Sequence, residues 1–428
     1  LSPSVAESTY QRQGIIVISA DRPAAWIGQQ DGQTLPQSGM FGALVARCVS
    51  LPEPYDDESR WLCNRLVNEA IATTFCHESA SVHINVPISE PLFNFTVGEL
   101  PDERMFTIAR PLISQTTVKM VTEALFSAQK PMVVIGQMAD SDLADAALNV
   151  LRKNAVVLCE PLSADYAEPF ESEGLVVNSE EFNGGIKHED SSFSTLRSSL
   201  KDLLPDFILY VGGTLVSKRL RRFLRHAKPK DCFVVSGSRQ MSDTFMSMTC
   251  FVDGSAEEFL AMLTAYCHSS CHEPDDSQTS YINLWKEVCS KESERLASLQ
   301  LSYSPELVVR YFEEQLEDME YDYQVHYANS TAVRLACRYS QHHVWCNRGV
   351  NGIEGSVSTA VGFAAGTSAK VFLVTGDLSF FYDQNALWNQ NLSGNLRIII
   401  LNDHHGAIFD HLKGLAASPV AATYVCGT

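Results

Sequence analysis

The chain of 428 residues has no apolar run long enough to cross a membrane, and it is short of positive charge. A membrane-spanning helix needs roughly 20 consecutive apolar residues, so the sequence predicts no membrane span. Lys and Arg total 32 against 51 Asp and Glu, which gives a net charge of −19. Nucleic-acid binding favours a basic face, so we expect no nucleic-acid partner. Local groups of arginine can still bind small anions.

The sequence also lacks a disulfide framework, a zinc-finger spacing and a dinucleotide-binding motif. Its twelve cysteines are scattered, which predicts reduced thiols and a cytoplasmic location. Residues 267–272, Cys-His-Ser-Ser-Cys-His, do not have finger spacing, and adjacent residues such as His404 and His405 rarely converge on one ion. Val133-Val134-Ile135-Gly136 is not followed by Gly-x-Gly-x-x-Gly, so we expect no nucleotide there.

The chain does contain a repeated alternation of short apolar strands with helices. This pattern predicts right-handed parallel crossovers and an α/β fold. We expect three doubly wound parallel-sheet domains, at residues 1–100, 101–300 and 301–428. The predicted strands are Ile15–Ser19, Val82–Val86, Pro131–Ile135, Ala155–Cys159, Asp206–Val211, Asp231–Val235, 323–327, Val371–Thr375 and Leu396–Leu401. The predicted helices include 4–10, 58–77, 140–153, 215–226, 257–269, 283–300, 305–315 and 383–392.

Both ends of the sequence differ from ordinary domain ends. Leu1-Ser2-Pro3 reads as the interior of a domain, and only residues 402–428 follow the last predicted strand. A complete α/β domain needs further strands at each place. We therefore expect the N- and C-terminal domains to be incomplete in this chain.

The most informative local pattern is a βαβ unit between Val371 and Leu401. Asp377 follows its first strand, and Asn402 and Asp403 follow its second strand. In open α/β sheets ligands bind at the carboxyl edge of the strands, and Mg²⁺ binds one or two carboxylates together with phosphate oxygens and water. The unit therefore predicts a site that holds a diphosphate through a metal ion. The alternative is a helix-capping Asp377 and a turn at Asn402-Asp403.

The same residues carry a resemblance to a known family. Gly376-Asp377 and Asn402-Asp403 resemble the Gly-Asp-Gly…Asn-Asn motif of thiamin diphosphate enzymes, with Leu378 and Asp403 as departures. The Gly-Asp-Leu-Ser form is similar to that of the 2-succinyl-5-enolpyruvyl-6-hydroxy-3-cyclohexene-1-carboxylate synthases of menaquinone biosynthesis. Further matches in the family's order are Ala20-Asp21-Arg22-Pro23, Gln33, Gly39-Met40-Phe41, His83-Ile84-Asn85-Val86-Pro87, Ser217-Lys218-Arg219, Asn329-Ser330, Arg334, Asn347-Arg348-Gly349 and Gly352-Ile353-Glu354-Gly355.

The resemblance implies thiamin diphosphate as cofactor, bound with Mg²⁺ or Mn²⁺. It implies Asp377, Asp403 and the backbone carbonyl of His405 as metal ligands, with Asn402 as the alternative to Asp403. Ile353 matches the apolar residue that supports the bent cofactor. Further cofactor-binding positions that it implies are Gly376, Leu378, Ser379 and Ile408. The family's catalytic glutamate would lie before Leu1.

The resemblance also implies a set of substrate-binding residues. Planar guanidinium groups bind carboxylates through two parallel hydrogen bonds, and the family's substrates, 2-oxoglutarate and isochorismate, are rich in carboxylates. The positions that match are Arg22, Gln33, Lys218, Arg219, Ser330, Arg334, Arg348 and Phe409. Lys218 and Arg219 have a second interpretation, because Arg221, Arg222 and Arg225 follow them and the helix could simply present a solvated basic face.

The function that these matches imply is a transferase reaction. The enzyme would decarboxylate 2-oxoglutarate and add the succinyl group to isochorismate in a 1,4 sense. It would work as a homodimer or homotetramer whose active sites form between chains. Two alternatives remain open, an acetolactate-synthase-like carboligase and a homologue that has lost catalysis.

Overall fold

The computed structural model describes residues 1–76, 80–89, 97–107, 112–138, 150–163, 200–237, 241–270, 272–404, 406, 418–420 and 423. Contacts divide the chain into two compact units. The first contains Leu1–Leu112 and Gly237–Arg239, and the second contains Ile113–Ser236 and Gln240–Thr428. No helix in the described ranges has the length and apolar character that a membrane crossing requires.

The first unit is built on a parallel sheet of three strands. Its strands are β1 (Ile16–Asp21), β2 (Arg47–Ser50) and β3 (Val82–Pro87), in the order β1-β3-β2, and its helices are α1 (Ser2–Tyr10) and α2 (Asp57–Cys76). Val49, Val82 and Ile84 pack with Ala70 of α2 in one apolar core. Asp57 and Glu58 lie in the first turn of α2, where their negative charges stabilise the helix by interacting with the positive end of its dipole.

The second unit begins with a parallel sheet of five strands in the order β5-β4-β6-β7-β8. Every residue of three of these strands, β4, β5 and β6, is buried, as expected for strands covered by helices on both faces. The strands are β4 (Pro131–Ile135), β5 (Val156–Cys159), β6 (Phe207–Val211), β7 (Asp231–Ser236) and β8 (Cys250–Asp253). The helices around them are α3 (Gln115–Ser127), α4 (Leu200–Leu203), α5 (Lys218–Ala227), α6 (Ala256–Ser269) and α7 (Asp276–Ser298).

The start of α7 differs from the sequence-based expectation. The sequence predicts a helix from residue 283, but the helix begins at Asp276, within a polar segment. Asp275 and Gln278 form a reciprocal capping box that satisfies free amides of the first turn. Gln278 also donates to the carbonyl oxygens of Phe126 and Ala128. A polar segment therefore forms a helix because its side chains cap and anchor it.

The second sheet of this unit has four parallel strands in the order β10-β9-β11-β12. The strands are β9 (Tyr323–Tyr327), β10 (Val344–Trp345), β11 (Lys370–Gly376) and β12 (Leu396–Leu401). The helices are α8 (Pro305–Leu316), α9 (Thr331–Tyr339), α10 (Ser356–Ala365) and α11 (Asp377–Asp383). These three parallel sheets with their helices confirm the predicted α/β class, and the predicted domain limits at residues 100 and 300 stay predictions.

The crossover helix of the βαβ unit lies earlier than the sequence predicts. The expected helix at 383–392 is wrong, because α11 spans Asp377–Asp383 and is followed by a 3₁₀ turn at Gln384–Trp388. Asn389 donates to the carbonyl oxygen of Ala386 and accepts from the amide of Asn391. Such local side-chain bonds compete with helical hydrogen bonding, so the helix does not continue to 392.

Residues from loops of the first sheet belong to the apolar core around the second sheet. Leu162 follows β5 and Val216 follows β6, and both are buried with Phe312, Tyr327 and Val374 around the second sheet. The amide of Val344 in β10 also donates to the carbonyl oxygen of Pro161, at 2.8 Å. The loops at the carboxyl edge of the first sheet are therefore packed against the second sheet.

Gly136, directly after β4, lies close to the backbone of the loop that follows β6. A Cβ atom on Gly136 would lie 2.0 Å from the carbonyl oxygen of Gly213. We expect Gly136→Ala to lower the free energy of unfolding by about 1–3 kcal/mol, the usual cost of overpacking, as measured by urea denaturation. Gly362→Ala is the control, because Gly362 lies in α10 with nothing near its Cβ position. It should stabilise by roughly 0.5–1 kcal/mol, and equal midpoints for the two variants would contradict the expectation.

Candidate functional site

The candidate site is the carboxyl edge of the second sheet, where β9, β11 and β12 end together. Gly376 of β11 is in register with Leu401 of β12. Asp377 and Asn402 therefore leave the sheet side by side, because they are the next residues on adjacent parallel strands. The Asp377 side chain is only 3% exposed, and Asp403 is half-buried. Two of the predicted metal-binding residues, Asp377 and Asp403, and the alternative Asn402 thus follow adjacent strands at one sheet edge.

The local hydrogen bonds of these residues bear on the alternative of simple capping. The first helical residue of α11 is Asp377 itself, and its Oδ1 accepts the Leu378 amide at 2.8 Å. Oδ1 of Asn402 accepts the His404 amide at 3.0 Å, which is a turn of the Asx type. These bonds are compatible with either interpretation, because a carboxylate or amide oxygen that accepts one local hydrogen bond has a second lone pair of electrons and can also bind a hard cation. The donor set fits Mg²⁺, which prefers carboxylate and carbonyl oxygens.

Ser379 and Ile353 are brought together at the start of α11. Ser379 is buried, and its hydroxyl donates to the carbonyl oxygen of Ile353. Ile353 is half-buried in the loop that follows β10. The hydroxyl proton is therefore directed at the backbone of Ile353, so a phosphate oxygen would have to compete for it.

Asn329 fixes the loop after β10, and the sequence did not assign it a role. It is buried at the end of β9, and its Nδ2 donates to the carbonyl oxygens of Asn347 and Gly352. Its Oδ1 accepts from Nη1 of Arg348 at 2.9 Å. The next residue, Ser330, has a φ of 76°, a strained conformation for a non-glycine residue that is common at functional sites.

Arg348 belongs to this loop, and the hydrogen-bonding capacity of its guanidinium is only partly used. Its side chain is 8% exposed, and Nη2 approaches the carbonyl oxygen of Leu215 at 3.4 Å. Its Nε is buried and has no hydrogen-bond partner among the residues that the structure describes. A buried donor without a partner is costly, so Arg348 retains capacity to bind an anion.

Arg334 contrasts with the arginine one turn further along α9. Arg334 is half-buried and makes no hydrogen bond or ion pair within the described ranges. Arg338 instead pairs with Glu306 at 2.7 Å. The geometry therefore distinguishes an arginine whose guanidinium is available from one that is engaged in a structural ion pair.

The basic pair at the start of α5 follows β6, a strand of the other sheet in the same unit. The helix begins at Lys218, and Oγ of Ser217 caps it by accepting the Leu220 amide at 3.0 Å. The Lys218 side chain is exposed, and the Arg219 side chain lies outside the described residues. The cap therefore fixes the backbone of Lys218 in the first turn of α5, whereas its ammonium group lies in solvent.

Arg22 and Gln33 belong to the first compact unit. Arg22 follows β1, is half-buried, and its Nε lies 3.5 Å from Oδ2 of Asp31. Gln33 has a φ of 61°, so it too occupies the left-handed region. Three further predicted site residues, His405, Ile408 and Phe409, lie outside the described residues.

Two other titratable groups of this unit, His326 and Cys267, are poor candidates for proton transfer. His326 in β9 is buried beside Trp345 and Phe363. Burial, with a smaller contribution from the charge of His343, lowers the pKa of His326 to about 3, so its ring is neutral near pH 7. Burial raises the pKa of the Cys267 thiol to about 11, which keeps it protonated.

Comparison with known proteins identifies the family. No protein-family model matches the chain, but curated relatives align along almost all of it. It is 39% identical over 430 residues to the 2-succinyl-5-enolpyruvyl-6-hydroxy-3-cyclohexene-1-carboxylate synthase of Phocaeicola vulgatus, covering 99% of this chain and 72% of the relative. The synthase of the same name from Bacteroides thetaiotaomicron is also 39% identical, with 99% and 73% coverage.

A more distant relative extends the same result. The synthase of that name from Desulfotalea psychrophila is 32% identical over 435 residues, covering 97% of this chain and 73% of the relative. The fold, the ordered motifs and these alignments agree. The chain belongs to the 2-succinyl-5-enolpyruvyl-6-hydroxy-3-cyclohexene-1-carboxylate synthase family and is a transferase.

Proposed function

We propose that the protein uses thiamin diphosphate and Mg²⁺ to decarboxylate 2-oxoglutarate and to add the succinyl group to isochorismate in a 1,4 sense. The observation that carries the proposal is the register of β11 and β12. It places Asp377 beside Asn402-Asp403 at one sheet edge, with Arg348 in the adjoining loop. The cofactor supplies the electron acceptor for loss of carbon dioxide, and the protein supplies binding and orientation.

The chain's own residues would hold the cofactor at three kinds of contact. Asp377 and Asp403 supply carboxylate oxygens for the metal ion, and the carbonyl of His405 is the third proposed ligand. Mn²⁺ is the alternative ion, because it accepts the same oxygen donors. Gly376, Leu378 and Ser379 would contact the diphosphate group of the cofactor. Ile353 and Ile408 would contact the apolar part of the cofactor.

The proposed substrate contacts are chosen by charge. The two substrates together bring four carboxylates, and Arg22, Lys218, Arg219, Arg334 and Arg348 supply five cations. Arg348 is favoured as a direct contact because its Nε is buried without a partner in the described structure, and Arg334 because its guanidinium makes no ion pair there. Gln33 and Ser330 would supply neutral hydrogen bonds, and Phe409 would close the apolar side.

We propose that the functional assembly is a homodimer or homotetramer. In that arrangement the first unit of one subunit faces the diphosphate-binding sheet of another, so that Arg22 and Gln33 would contact substrate at the neighbour's cofactor site. Active sites between subunits would make activity depend on protein concentration. A loss of specific activity on dilution, together with dissociation measured by sedimentation, tests this part.

A product assay tests the reaction. We expect 2-oxoglutarate with isochorismate, thiamin diphosphate and Mg²⁺ to yield carbon dioxide and the succinyl-cyclohexene product in equal amounts, measured by mass spectrometry. Pyruvate has one carboxylate and should be a poor donor. Acetolactate formed from pyruvate alone would favour the acetolactate-synthase-like alternative. If no product forms with either donor, the alternative of a homologue that has lost catalysis is favoured.

A further inference from the structure

Glu160 is a buried carboxylate that neither the sequence nor the proposed function assigns. It directly follows β5 and is 3% exposed. Its Oε2 accepts the Val216 amide at 2.6 Å, and its Oε1 accepts the Ser217 amide at 2.8 Å. Both oxygens are thus bonded to two consecutive amides, which is a geometry that a carboxylate satisfies and a carboxamide does not.

The turn that Glu160 holds is the turn that presents the basic pair of α5. Ser217 is the cap of this helix, and Lys218 is its first residue. The same turn is bonded to Arg348, since Oγ1 of Thr214 donates to the Arg348 carbonyl oxygen at 3.0 Å. Nη2 of Arg348 approaches the Leu215 carbonyl oxygen at 3.4 Å. One buried acid therefore fixes a turn that contacts two proposed substrate-binding cations.

The charges around Glu160 are unequal. Burial raises its pKa, whereas the two amides and the charges of Arg348 and Arg221 oppose that change. Burial also lowers the pKa of Arg221, as does the charge of Arg348, while Glu160 raises it. The Nε atoms of Arg221 and Arg348 are both buried without a hydrogen-bond partner in the described part of the chain. Arg221 and Arg348 thus lie near a single buried acid, and the Nε atom of each retains the capacity to donate to an incoming anion.

We propose that Glu160 is a positioning residue for substrate binding: it locks the turn before α5 and holds Arg348 beside it, so that this cluster accepts one substrate carboxylate. This inference rests on the proposed function, which assigns Lys218 and Arg348 to substrate. Glu160 touches neither substrate nor cofactor in this scheme. Its effect is therefore on the affinity for substrate, with no direct effect on cofactor binding.

Glu160→Gln is the first test, because it keeps the shape and removes the charge and one acceptor. We expect the KM for one of the two substrates, isochorismate or 2-oxoglutarate, to rise roughly tenfold or more, as for loss of a hydrogen bond to a charged group. The Kd of thiamin diphosphate should stay within twofold of the wild-type value. Glu160→Asp keeps the charge but cannot reach both amides, so it should raise the same KM by about two- to fivefold, a partial rescue.

Glu292→Gln is the matched control. Glu292 is 9% exposed and forms an ion pair with Arg295 on α7, so its loss should alter stability and leave both KM values unchanged. An unchanged KM in Glu160→Gln would overturn the proposal. A rise in KM that is accompanied by a comparable rise in the Kd of thiamin diphosphate and by a lower Tm would also overturn it, because that result indicates a general structural defect. If Glu160→Gln does not fold, an unchanged KM in Glu160→Asp overturns it. Wild-type protein that makes no product would instead reject the proposed function.

Discussion

Asp377→Asn is expected to abolish Mg²⁺-dependent binding of thiamin diphosphate. Asp377 is buried at the end of β11 and adjoins Asn402-Asp403 through the strand register. Asparagine keeps the shape but removes the negative charge that a hard divalent cation requires. Loss of a direct ligand should exceed the roughly 10–100-fold loss in metal affinity that follows removal of a residue supporting a ligand. Equilibrium dialysis against the cofactor with Mg²⁺ measures the effect.

Asp318→Asn is the control for this experiment. Asp318 is exposed beyond the end of α8, so the same change of charge there should leave cofactor binding unchanged. The Asp377→Asn variant should remain folded, because its Oδ1 can still accept the Leu378 amide. A wild-type cofactor titration in Asp377→Asn would refute the metal assignment.

Arg334→Ala is expected to raise the KM for a substrate by about 10–100-fold and to leave cofactor binding intact. The range follows from the roughly 1.5–3 kcal/mol of a hydrogen bond to a charged group. Because Arg334 makes no ion pair in the described structure, its removal should cost little stability. Arg338→Ala, one turn along α9, breaks the pair with Glu306. That control should lower stability and leave KM unchanged.

Arg348→Ala provides the second arm of the same test. Arg348 binds Asn329 and approaches the Leu215 carbonyl oxygen, so the substitution should raise KM and also lower the free energy of unfolding. Removing one partner of a buried charged hydrogen bond costs about 2–5 kcal/mol. Steady-state kinetics measure the first effect and urea denaturation the second. Unchanged kinetics in both Arg334→Ala and Arg348→Ala would contradict the substrate assignment.

The sequence predicted Pro131–Ile135, Tyr323–Tyr327 and Leu396–Leu401 with the bounds that the structure has, although the burial of the three strands differs. The pattern is plainest in Pro131–Ile135, because a short run of apolar or β-branched residues between turn residues is typical of a covered strand. The sequence did not indicate β2 or β8. Each has four residues, of which only one is buried, and such edge strands depend on their neighbour more than on their own pattern.

In the candidate site, the sequence predicted the neighbours that follow from strand spacing and did not predict the contacts between distant segments. The βαβ spacing predicts that Asp377 and Asn402 are neighbours, since parallel strands joined by one crossover end at one edge. The hydrogen bonds of the Arg348 guanidinium, in contrast, join it to Leu215 and Asn329, and Leu215 is far from Arg348 in the sequence. The contacts of Glu160 likewise come from residues 216 and 217. In the sequence, Glu160 is recognisable only as an acidic residue that follows a predicted strand. Such residues are common in proteins and are often exposed, so this position alone did not indicate a role.

Isothermal titration of thiamin diphosphate into the full-length protein, with Mg²⁺ and then with EDTA, tests the central claim most directly. We predict saturable binding with Mg²⁺ and none with EDTA, because the buried Asp377 carboxylate at the β11–β12 edge would repel a diphosphate unless a cation lay between them. Binding that is absent in both conditions would contradict a cofactor site at that edge. Binding that is equal in both would contradict the role of the metal ion.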